Sequence, residues 1–149
     1  MRSNRVALAA ALAVTLALIA VQTAVGAHAV LHSGSGLLMG TWHMDFDSGT
    51  FNTTVDSAAD MKFEIAGSTN SKRLLQTDAG SAFAKMGLTR PSYATCFSTV
   101  LHGGSYKLSQ IPLGTWFCLR ANGGHLVRFR LDAKHPYPGG VNLTFRTWV

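Results

Sequence analysis

The sequence predicts an all-β fold, a single small antiparallel sandwich or barrel of about six to eight strands with one disulfide. Three observations predict it. From residue 38 onward the apolar residues recur with a period of two rather than 3.6, the spacing that lines one face of a strand. Turn residues punctuate these runs, most plainly Asn122-Gly123 between 115–120 and 125–132. The chain's two cysteines, Cys96 and Cys118, lie in a segment expected to be exported, where thiols pair.

The 149 residues suffice for one domain. Hydrophobic residues at 47% against 13% charged exclude a disordered chain. Two cysteines exclude a cysteine-dense scaffold and a four-cysteine zinc site. Residues 1–29 have the three parts of a secretory signal: Arg2 and Arg5, an uncharged apolar run over 6–21, and the small-x-small site Ala27-His28-Ala29. Cleavage is expected after Ala29, with Ala27 the runner-up. The apolar run falls short of the about 20 residues a spanning helix needs, so no membrane span is expected after cleavage. The product is then secreted. Residues 30–37 read as a flexible lead-in and 38–149 as the all-β domain. In an oxidising compartment Cys96 and Cys118 are expected to form the disulfide.

The domain opens with a hairpin. Residues 42–47 alternate with Met44 and Phe46 inward; residues 60–65 alternate with Met61, Phe63 and Ile65 inward. The connection 48–59 is long and rich in Thr, Ser and Asp. Residues 73–77 read as another strand, 79–86 as a short helix or a loop, and 93–98 as a strand carrying Cys96. Around Asn122-Gly123 the sequence predicts a type I′ turn, which needs positive φ at both central residues. That turn pairs Arg120 with His125, Cys118 with Val127 and Trp116 with Phe129. Trp116, Cys118, Val127, Phe129 and Leu131 then read as the core face. Phe117, Leu119, Leu126, Arg128 and Arg130 read as the other. Residues 133–140 contain two prolines and two glycines and form no helix. Residues 141–149 place Val141, Leu143 and Phe145 on one side, and Asn142, Thr144, Arg146 and Trp148 on the other. The last three strands read as a meander. Met39-Gly40-Thr41-Trp42 matches Leu113-Gly114-Thr115-Trp116. The match is either an internal repeat or two uses of a good strand start.

The formal net charge is +6, and +4 once Arg2 and Arg5 leave with the signal. Residues 30–78 carry three basic and six acidic residues, whereas 79–149 carry eight basic residues and one acid, Asp132. A basic half suits nucleic acid, an anionic membrane or a polyanionic wall. No Lys/Arg run or nucleic-acid motif is present, so no nucleic-acid partner is expected. An anionic envelope polymer or another exported protein is the available class of partner. Arg128 and Arg130 alternate onto one face of a strand, and Arg146 is expected exposed on the last strand. These three form a candidate polyanion surface. Asp45, Asp47, Asp60 and Glu64, outward on the first hairpin around Lys62, are candidate calcium ligands, because crowded carboxylates repel unless a cation joins them. The plainer reading is a solvated acidic face. The string from Asp45 departs from an EF-hand loop at its sixth position, where Thr50 stands for Gly. No His-Glu-x-x-His or Gly-x-Ser-x-Gly motif occurs, so no catalytic residue and no cofactor is assigned.

The run Leu113-Gly114-Thr115-Trp116-Phe117-Cys118-Leu119-Arg120, then Gly124, then Phe145-Arg146-Thr147-Trp148, resembles a group of small exported β-rich proteins and domains of actinobacteria and some other bacteria. Asp45-Phe46-Asp47-Ser48-Gly49 followed by Ala59-Asp60 resembles the start of the same group. The likeness leaves 66–92 uncovered and has Ala121 where Thr is usual. It implies secretion, a β domain and the Cys96–Cys118 bridge, and it carries no activity. The function expected is a non-enzymatic extracellular or cell-envelope binding module. The alternatives are a small secreted hydrolase, or an inhibitor that presents 48–59 or 132–140.

Overall fold

The computed structural model describes residues 28–54, 58–66, 72–136 and 139–149. The signal sequence expected over 1–29 lies almost wholly outside the described residues. Among those described, no helix is long and apolar enough to cross a membrane. The chain is all-β. Its strands are β1 (Val30–Leu38), β2 (His43–Asp45), β3 (Thr50–Thr53), β4 (Met61–Ala66), β5 (Lys72–Thr77), β6 (Ala82–Gly87), β7 (Ser105–Lys107), β8 (Trp116–Arg120), β9 (Leu126–Lys134) and β10 (Val141–Trp148). They form two five-stranded antiparallel sheets, ordered β1-β10-β9-β8-β6 and β3-β2-β4-β5-β7. The ten strands exceed the six to eight expected, because the short β3 and β7 and the glycine-bearing β1 leave little alternation to read.

The two inner faces share one core. Met44, Phe46, Met61, Phe63 and Leu75 of one side meet Phe83, Phe117, Leu119, Val127, Phe129, Leu131, Leu143 and Phe145 of the other. Aromatic rings run through it in sequence: Phe51 to Phe145 at 5.9 Å, Phe145 to Phe46 at 5.5 Å, Phe46 to Phe129 at 5.5 Å, Phe129 to Phe117 at 4.7 Å. The inward assignments of Met44, Phe46, Met61 and Phe63 hold, as does the β8-β9-β10 meander.

The β8–β9 register differs from the expected one by a single residue. The observed partners are Arg120 with Leu126, Cys118 with Arg128 and Trp116 with Arg130. The cause is the turn. The Gly124 amide donates to the Ala121 carbonyl, and the positive φ falls on Gly124 (90°) rather than on Asn122 or Gly123. An ordinary turn followed by a left-handed glycine adds one residue to the loop. A one-residue slip moves one strand's side chains to the opposite face. Phe117 and Leu119 therefore enter the core beside Phe129 and Val127, and Trp116 and Cys118 join Arg130 and Arg128 on the outer face.

Two further segments depart from expectation. Residues 30–37 form most of β1 rather than a lead-in, and pair with β10 along their length. Gly34 and Gly36 fall on its inner side, and a Cβ at Gly36 would lie 2.9 Å from the Phe51 ring. Glycine there admits the rings of the core, and it also removes the apolar alternation that would have marked a strand. Residues 93–98 form a helix, α1 (Tyr93–Ser98), instead of a strand. Ser92 caps it by accepting from the Thr95 amide at 3.1 Å, directly after Pro91. A serine cap following a proline starts the helix here despite the aromatic and β-branched residues that suggest a strand. The undecided stretch 79–86 holds most of β6, which pairs with β8.

Helix α1 lies on the outer face of the first sheet, where Cys96 is bonded to Cys118 with 5.2 Å between Cα atoms. Cys96, Cys118, Leu126 and Trp148 form a second, smaller core beneath it. Replacing both cysteines with alanine is expected to lower stability by about 3 kcal/mol, the chain-entropy value for a loop of this length. Urea unfolding checks it. A loss under 1 kcal/mol would mean that the small core alone holds the helix.

Candidate anion-binding site

The corrected register decides what the outer face of the first sheet presents. One row across the sheet reads Ser33, Arg146, Arg128, Cys118, and the next reads Ser35, Thr144, Arg130, Trp116. Helix α1 covers the Cys118 end of the first row. The segment that leads into the helix brings Arg90 and Pro91 over the same area. Beside Arg90 the outer face holds a cavity of about 300 Å³, lined by Ser33, Gly34, Ser35, Arg90, Trp116, Arg128, Thr144, Phe145 and Arg146.

The cavity is strongly positive. Arg128 is 7% exposed and donates to the Pro91 carbonyl at 2.8 Å. Burial, with Arg90 and Arg146 close by, brings its guanidinium below the ordinary arginine range to about 10, so it stays charged at neutral pH. Four ion pairs occur among the described residues, and none involves Arg90, Arg128 or Arg146. The aromatic side chains hold the cations in place. The guanidiniums of Arg90, Arg128 and Arg130 lie 5.8, 5.8 and 5.3 Å from the Trp116 ring centre, and that of Arg128 lies 5.0 Å from Trp148. Such contacts fix guanidinium planes without neutralising them. The result is a set of oriented fork donors with spare capacity for an anion.

Comparison with protein-family models, with curated proteins and with solved structures finds no match for this chain. The site is therefore read from its own geometry.

Of the three arginines singled out in the sequence, Arg128 and Arg146 line the cavity. Arg130 stands beside it and is held by Asp132 at 2.5 Å. Sequence reasoning missed Arg90 and Trp116. Arg90 sits in the stretch that periodicity left unread, and Trp116 was assigned to the core by the misplaced register.

The acidic candidates divide differently. Asp45, Asp47 and Asp60 each place a carboxylate oxygen within 4.8 Å of the others. Glu64 is not among them and pairs instead with Lys62 at 3.3 Å. The three clustered carboxylates are engaged by protein donors. Asp45 accepts from the Asp47 and Ser48 amides and the Ser48 hydroxyl. Asp47 meets the His125 ring at 2.8 Å and the Gly123 amide at 3.0 Å. Asp60 accepts from the Phe46 and Asn122 amides and the Ser81 hydroxyl. Alternation placed Asp60 outward, yet it is fully buried. It precedes β4, where the β8–β9 loop and Ser81 close over it. Burial raises its carboxyl from 3.8 to about 6, although the hydrogen bonds from Asn122 and Phe46 pull the other way. The cluster is a joint that ties the β8–β9 loop to the second sheet.

The loops proposed for an inhibitor are only partly loops. Residues 50–53 form β3 against β2, and β9 continues to Lys134. Residues 55–57 and 137–138 lie outside the described residues.

Proposed function

We propose that the chain is a secreted, non-enzymatic binding module that engages an anionic polymer of the extracellular or envelope space through the basic outer face of its first sheet. One observation carries the reading: Arg90, Arg128 and Arg146 line one cavity, and no carboxylate among the described residues pairs with them. The Cys96–Cys118 bridge suits an oxidising compartment. The resemblance to small exported bacterial proteins points the same way, and the expected cut after Ala29 falls immediately before β1.

The test is binding of the purified domain to an immobilised polyanion over a salt series. Exposed charges are screened over about 8 Å at physiological salt, so affinity is expected to fall steeply as salt rises. Arg90→Gln with Arg146→Gln is the suitable double variant, because neither side chain makes a hydrogen bond or ion pair to the protein among the described residues. Arg128 is anchored to Pro91 and is a poorer choice. The double variant is expected to weaken binding at least tenfold, while Lys62→Ala, whose amine sits beside Glu64, leaves it unchanged. Equal losses from both variants, or binding indifferent to salt, would reduce the basic half to a solubilising surface.

A further inference from the structure

We infer that the cavity ringed by Arg90, Arg128 and Arg146 is a discrete site for one tetrahedral oxyanion ester, a phosphate or sulfate group carried on the polymer, rather than for a carboxylate. The inference rests on the polymer-binding reading for its biological setting, but the site chemistry is argued from the geometry alone.

The three guanidiniums enter from three different segments: Arg90 from the chain before α1, Arg128 from β9 and Arg146 from β10. Arg128 and Arg146 are direct cross-strand partners, and Arg90 approaches from above the sheet. A carboxylate has two oxygens in one plane and is satisfied by one bidentate guanidinium. Donors that converge from inside and outside one sheet plane suit an anion with three or more oxygens in different directions. The hydroxyl-bearing Ser33 and Ser35 of β1 line the same cavity and add neutral donors. Thr144 is committed to Asp132 at 2.6 Å and serves the wall instead.

Charge and size agree with this assignment. Like charges crowd here at a cost, and an anion that bridges them relieves the repulsion. At about 300 Å³ the cavity is at the small end of the range of roughly 300–1,000 Å³ typical of ligand sites. It accommodates a tetrahedral group with a short piece of its substituent and no long ligand. Trp116 acts as a positioning residue: it carries no charge, yet it orders Arg90 and Arg128.

The test is titration of the folded domain with inorganic phosphate, sulfate and acetate at constant ionic strength, followed by NMR of the arginine Nε–Hε groups. Phosphate and sulfate are expected to shift Arg90, Arg128 and Arg146 with at least tenfold higher affinity than acetate, and to leave Arg120 unmoved. Arg146→Lys, which keeps the charge and loses the fork without breaking a hydrogen bond among the described residues, is expected to weaken phosphate about tenfold. Trp116→Leu is expected to weaken it with net charge unchanged, and unaltered backbone amide spectra of β9 and β10 would show that the fold survives. Acetate binding as well as phosphate, or shifts spread evenly over all arginines, would overturn the site. Two polymers then separate the readings and the sources: a glycerol-phosphate polymer and a sulfated polysaccharide, each against a polyuronate. Preference for either ester polymer supports the site and names its source. Equal binding of the polyuronate leaves the polymer-binding reading standing and overturns the tetrahedral site. Tight phosphate binding with no polymer bound supports the site and overturns the polymer reading.

Discussion

Phe129→Ala is expected to destabilise the domain by about 3–5 kcal/mol. Phe129 has no exposure and lies at the centre of the aromatic run, stacked at 4.7 Å and 5° on Phe117 and at 5.5 Å on Phe46. It links the two sheets, since Phe117 is its neighbour on β8 and Phe46 follows β2 on the opposite sheet. Truncation removes the buried ring and leaves a cavity that two strand backbones cannot collapse into. Domains of this size are stable by only about 5–15 kcal/mol in total, so the variant approaches the unfolding threshold at ordinary temperature. Urea unfolding of the variant measures the loss. Phe97→Ala is the control: its ring is 65% exposed, and its loss is expected to stay within about 0.5 kcal/mol. A loss below 1 kcal/mol for Phe129 would contradict its place at the centre of the core shared by the two sheets.

Asp60→Ala is expected to cost roughly 3–5 kcal/mol at pH 5. The substitution removes the acceptor of the buried Phe46 amide and Ser81 hydroxyl, at about 1–3 kcal/mol for each, and one part-buried hydrogen bond from the Asn122 amide. Relief of a buried carboxylate offsets part of that, and the offset depends on pH. The folded-state value of about 6 lies above the ordinary 3.8. The folded protein therefore holds a proton that the unfolded chain releases, and the stabilisation is full below 3.8 and lost as pH rises through 6. The gap in melting temperature between the wild type and Asp60→Asn is accordingly expected to widen as pH falls from 7 to 5. A gap that narrows over that interval would mean that the hydrogen bonds, and not burial, set the carboxyl's affinity for protons. An alanine variant as stable as the wild type would mean that the joint contributes nothing to docking the β8–β9 loop.

Asp60 and Arg90 mark where a single residue's context escapes sequence patterns. Asp60 sits one position before a strand, and its alternation with Met61 points it to solvent. The chain that buries it comes from residues 81 and 122, far away in sequence. Arg90 belongs to a stretch without periodicity, and it stands over Trp116 where the neighbouring Pro91 carbonyl accepts from Arg128 of β9, far away in sequence.

By itself, the sequence determined the all-β class, the cysteine pair, the inward residues of β2, β4 and β10, and the bias of positive charge toward the last strands. These follow from local facts: a two-residue apolar period, turn chemistry, and the count of charged residues along the chain. Tertiary structure alone decided the rest. The β8–β9 register turned on whether Gly124 or its two predecessors took the positive φ, a choice of about one residue with opposite consequences for every side chain of β8. The strand at 30–38 became legible only once the rings of Phe51 and Phe145 were seen against its glycines, which are small because those rings are near. The arginine cavity is likewise a tertiary feature: strand alternation puts Arg128 and Arg146 on one face, but only the packing of the segment before α1 adds Arg90.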